Sequence, residues 1–108
     1  MTGVRVGGEA GALTRLSDDA VASLRLAFAG ELAERLPVLR ALCDGSLSDL
    51  DLVRRAAHSL ASSAAVVGAA EAARAARSLE EQLVAGAAVE DLRAPASGVV
   101  ALLGGWQP

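Results

Sequence analysis

The chain contains a single histidine, His58, and its neighbours place that imidazole where it can act as a nucleophile. From Ser48 to Val67 the sequence reads SDLDLVRRAAHSLASSAAVV. At about 100° per residue, Val53, Ala56, Ala57, Leu60, Ala64 and Val67 gather into one apolar stripe. His58 falls roughly 160° from Leu60 on that wheel, on the polar side. Asp51, Arg54, Arg55, Ala61, Ser62 and Ala65 lie around it. The spacing therefore predicts a solvent-facing imidazole ringed by small side chains and flanked by two arginines. Arg54 and Arg55 are suited to an anionic group held on that imidazole, or else to a solvated face paired with Asp51.

Other chemistries lack their parts. Cys43 is the only cysteine, so it forms no internal disulfide and offers no metal pair. One histidine among scattered carboxylates is a poor metal site, and no metal is expected. The formal charge is −3, with one Phe, one Trp and no Tyr. Without a basic block or aromatic residues to stack on bases, nucleic-acid binding is not expected. No carboxylate pair or nucleophile–base pair marks a conventional enzyme. The N-terminus lacks the charged-then-apolar order of a secretory signal, and no apolar run reaches membrane-spanning length. The reading is cytoplasmic, with no membrane contact.

The elements that must position His58 are helical. Of the 108 residues, 53% are apolar, chiefly Ala, Leu and Val. Alanine favours helices and lets them approach closely. Residues 1–16 are rich in glycine and predict a flexible tail or a short helix. Ser17-Asp18-Asp19 is a helix start, with a hydroxyl cap and carboxylates at the positive end of the dipole. Val21, Leu24, Phe28, Leu32, Leu39 and Leu42 mark its apolar face. Pro37 predicts a kink there, or a break followed by one more turn, and Gly45 ends the segment. Ser46 to Asp49 open the helix that carries His58, which ends near Gly68.

A third helix is expected from about Ala69 to Val84. Ala72, Ala76, Leu79 and Leu83 lie inside it, and Glu71, Arg74, Arg77, Ser78 and Glu81 outside. The last is expected from about Glu90 to Leu103, or from Ala94 with Pro95 in its first turn. Val99, Val100, Leu102 and Leu103 form its apolar side. Short connections favour antiparallel neighbours. The fold expected for 17–108 is all-α, an antiparallel up-and-down four-helix bundle with a short N-terminal extension. Trp106 either covers the end of the bundle or hangs free.

His58, Leu60, Ser63, Ala64, Val67, Gly68, Leu79 and Glu80 together resemble the signature of histidine phosphotransfer (Hpt) domains. That family shows a histidine, an apolar residue two positions on, usually Lys-Gly, small residues, an apolar-Gly pair, and Leu-Glu in the next helix. Two positions depart from it: Ala61 stands in place of the lysine and Ser62 in place of the glycine. The resemblance implies a phosphoryl carrier of a two-component phosphorelay rather than a conventional enzyme. His58 would be the phosphoacceptor, with Arg54, Arg55, Ala61, Ser62 and Ala65 as phosphoryl or partner contacts and Val66 beside them. Arg54 or Arg55 would replace the missing lysine charge. Ser63, Gly68, Leu79 and Glu80 read as structural.

The implied partners are a response-regulator receiver domain, which brings the Mg²⁺, and a histidine kinase. This chain itself is expected to carry no cofactor. A free-standing monomer is expected, since the chain opens at Met1 and shows no second domain. An adaptor that docks on a receiver or kinase without transfer, and a helical oligomerisation module, are the other two readings.

Overall fold

Ser17 starts the first helix as its type suggests: its Oγ accepts from the Ala20 N–H at 3.2 Å, with Asp18 and Asp19 in the first turn. The computed structural model describes residues 17–108; the tail or short helix expected at 1–16 lies outside the described residues. Four helices follow in order: α1 (Asp18–Asp44), α2 (Leu50–Val66), α3 (Ala70–Val84) and α4 (Val89–Leu103). Among the described residues there is no strand.

α1 runs unbroken through Pro37, which excludes the break. The proline removes the partner of the Ala33 carbonyl one turn earlier. Both Ala33 and Pro37 are exposed, so water can serve that carbonyl. α4 likewise begins at Val89 rather than Ala94 and continues through Pro95. The carbonyl left free there belongs to Asp91, also exposed.

Asp49 caps α2 by accepting from the Leu52 N–H at 3.2 Å. The end of α2 is a Schellman turn: Gly68 N–H donates to the Ala65 carbonyl at 3.1 Å and Ala69 N–H to the Ala64 carbonyl at 2.8 Å. Gly68 makes this possible with φ of 82°, a conformation that side chains with a Cβ disfavour.

The helices form an up-and-down ring. α1 packs on α2 and α4, and α3 packs on the same two. The core comprises Phe28, Leu32, Leu36, Leu39 and Leu42 of α1 with Val53 and Leu60 of α2. Leu79 of α3 and Leu92, Val99 and Leu103 of α4 complete it. Leu36 joins the expected α1 face, whereas Leu102 is exposed, a step of about 100° from buried Leu103.

The most extensive helix contact joins α2 to α3. Its buried residues are largely alanines: Ala57, Ala61, Ala64 and Ala65 on α2, and Ala72, Ala73 and Ala76 on α3. Side chains this small let the two backbones approach closely. At the far end Trp106 folds back edge-on to Phe28, ring centres 4.8 Å apart, so it covers the bundle end. The Arg25 guanidinium lies 4.8 Å from the Trp106 ring centre and donates to the Gln107 carbonyl at 3.1 Å.

Candidate functional site around His58

Midway along α2, the His58 side chain is 65% exposed. It does not stand at the middle of an open face. Ala61 and Ala65, expected as phosphoryl or partner contacts, are only 5% and 8% exposed. They therefore form part of the packed interior rather than a docking surface. The physical reason is the close alanine seam: α3 covers the flank of α2 that includes Ala61 and Ala65, and His58 emerges at the edge of that seam. Ser62 and Val66 remain exposed.

The seam brings Glu80 of α3 to the imidazole. His58 Nδ1 and Glu80 Oε2 are 2.8 Å apart. Glu80 is half-buried, and its neighbour Leu79 is fully buried, which anchors the carboxylate. An ionised carboxylate only accepts, so Nδ1 is the donor, and in the neutral ring the lone pair then belongs to Nε2. In sequence alone Glu80 reads as a structural polar residue. Sequence spacing cannot join positions 22 apart on two helices; the available signal was the Leu-Glu pair of the resembling motif.

On the other flank, α1 and α2 enclose an open groove of about 450 Å³ that includes His58, Ser59, Arg54, Arg55, Val38 and Arg35. Every arginine of the groove has a carboxylate beside it. Arg54 donates to Asp51 Oδ1 at 3.0 Å, and Arg55 Nη2 lies 3.1 Å from Asp51 Oδ2. Arg35 Nη1 lies 3.5 Å from Glu31 and 3.3 Å from Glu34. Asp51 is thereby held below its ordinary carboxylate range, first by the hydrogen bond from Arg54 and then by the charge of Arg55. Farther along, Ser63 Oγ donates to Glu31 Oε2 at 2.6 Å, which ties α2 to α1.

The arrangement presents one exposed imidazole nitrogen, a carboxylate fixing the opposite nitrogen, and paired cations one turn away. That suits acceptance of a charged group by direct attack. Among the described residues no group of three or more His, Cys, Asp or Glu side chains is placed to hold a metal ion. No helix among them is long and apolar enough to cross a membrane.

No curated protein and no solved structure matches the chain. The family model of the Hpt domain matches residues 23–103, from the second turn of α1 to the last residue of α4, and the chain belongs to that family.

Proposed function

We propose that the protein accepts a phosphoryl group on Nε2 of His58 from a receiver-domain aspartate or a histidine kinase, and returns it to a receiver. Hpt domains in general serve histidine phosphotransfer in phosphorelays. The observation that carries the reading is the 2.8 Å contact between His58 Nδ1 and Glu80. It selects the tautomer of the neutral ring in which the exposed nitrogen holds the lone pair, and supplies an anion beside the charge that develops on the ring.

In the step, the Nε2 lone pair forms a bond to phosphorus while the bond from phosphorus to the aspartyl oxygen breaks. The electron pair of that bond returns to the receiver carboxylate. The ring becomes a phosphoryl-imidazolium, its Nδ1 proton still donated to Glu80. Reversal gives the transfer back, so this side needs no separate acid or base. Phosphoryl transfer depends chiefly on positioning and charge stabilisation. The Mg²⁺ would come with the receiver's acidic pocket. Exposed Ser62 and Val66, and the α1–α2 groove, give that partner its approach.

The test mixes the protein with phosphorylated receiver domains and kinases from the same source, with His58→Gln alongside. An acid-labile, base-stable phosphate on the wild type alone is expected. A second reading, a non-transferring adaptor, draws on the buried, uncharged Ala61 and the prior pairing of Arg54 and Arg55. Receiver binding without transfer, unchanged by His58→Gln, selects it.

A further inference from the structure

Asp51 serves two cations with one carboxylate, and the two are not held alike. Arg54 donates a hydrogen bond to Oδ1 and its side chain is 40% exposed. Arg55 meets Oδ2 as an ion pair and is 64% exposed. Arg54 is the first cause of the low Asp51 pKa, with Arg55 second and chiefly through its charge. The two arginines also leave α2 on different sides of His58. Counted at about 100° per residue, Arg54 departs on the side of Ala61 and Arg55 on the side of Ser59, and both side chains line the α1–α2 groove. Of the two, Arg55 is the more exposed, and so the freer to turn from Asp51 to a group arriving on His58.

We propose that Arg55 is the phosphoryl-positioning residue of this site, parked on Asp51 in the resting protein and exchanged onto the phosphoryl group once His58 carries it. This rests on His58 being the acceptor. Exposed ion pairs are weak. A phosphoryl group brings about two negative charges and three acceptor oxygens one turn away. Arg55 can leave without stranding Asp51, because Arg54 stays hydrogen-bonded to the other carboxylate oxygen. The exchange gives the site the positive charge that Ala61 does not provide. It also makes Asp51 a competitor of the phosphoryl group: the carboxylate sets how readily the cation is released. Of the other charges near the site, Glu80 is engaged with Nδ1, and Arg35 is held between Glu31 and Glu34.

The experiment charges the full chain with phosphoramidate, a small phosphodonor that needs no partner, and follows the half-life of the acid-labile phosphate. Arg55→Gln is expected to shorten that half-life about threefold, the scale of one exposed ion pair, and Asp51→Asn to lengthen it. Arg54→Gln, which leaves Arg55 in place, costs less than Arg55→Gln. The deciding variant is the double Asp51→Asn/Arg55→Gln. If Asp51 acts by holding Arg55, its substitution has no further effect once Arg55 is gone. An equal lengthening in both backgrounds means that Asp51 acts only through its own charge, and overturns the exchange. So does a larger loss for Arg54→Gln than for Arg55→Gln. Absence of acid-labile phosphate on the wild type is a different failure: it removes the acceptor reading, and this proposal with it. Circular dichroism of each variant checks that the helices persist.

Discussion

Glu80 of α3 holds the Nδ1 edge of His58 at 2.8 Å, across the most extensive helix contact of the bundle. The nucleophile and its orienting group thus belong to different helices, and the α2–α3 packing sets their distance. Glu80→Ala removes both the acceptor and the charge, whereas Glu80→Gln keeps an acceptor. A hydrogen bond to a charged group contributes about 1.5–3 kcal/mol, and about 1.4 kcal/mol is tenfold in rate. Discounted for the exposed imidazole, Glu80→Ala should slow phosphorylation by phosphoramidate about tenfold and Glu80→Gln by less. Equal rates for wild type and Glu80→Ala remove Glu80 from the site.

Leu60 is fully buried two residues beyond His58. Truncating a buried leucine costs about 2–5 kcal/mol, a large share of the stability of a small domain. Leu60→Ala should lower the urea midpoint strongly. A midpoint within error of wild type means that α2 is not held by this core.

Trp106 supplies a second stability test, at the end of the bundle it covers. Its edge-on pairing with Phe28 and the Arg25 contact are each of a kind that contributes about 0.5–1.5 kcal/mol. Trp106→Ala should lower the melting temperature by several degrees, since about 1 kcal/mol moves a domain of this size by roughly 4–8 °C. Phosphorylation of the variant below its melting point should proceed at the wild-type rate. A loss of phosphorylation with the fold intact would connect the C-terminal cover to His58, contrary to its placement.

Ser63 separates fold from chemistry most cleanly, because it lies on the same helix as His58. Its hydroxyl ties α2 to Glu31 of α1 at 2.6 Å. Ser63→Ala should cost about 1–2 kcal/mol in denaturant unfolding without slowing phosphoryl acceptance at 25 °C. Wild-type stability in that variant shows the tie to contribute nothing.

The bundle was legible in the sequence because its signals are local. Ser17 and Asp49 cap helices where their types suggest, and Gly45, Gly68 and Gly86 close three of them with positive φ. The exposure of His58 followed from its angle to Leu60. What periodicity cannot supply is which flank of a helix its neighbour covers. Ala61 and Ala65 read as open because alanine has no polarity to betray burial, yet α3 lies against them. Glu80 read as structural for the converse reason: its partner lies on another helix. Pro95 left two starts open for α4, and the earlier one holds because solvent at Asp91 lets the helix run past the proline.

The most direct measurement uses the fact that His58 is the only histidine. Protein labelled with ¹⁵N-histidine shows just two ring nitrogens of one residue by NMR, so each can be followed as phosphoramidate is added. The expected result is a protonated Nδ1 before and after reaction, with phosphorus bonded to Nε2. Phosphate on Nδ1, or unchanged ring signals while phosphate accumulates elsewhere on the chain, would contradict it.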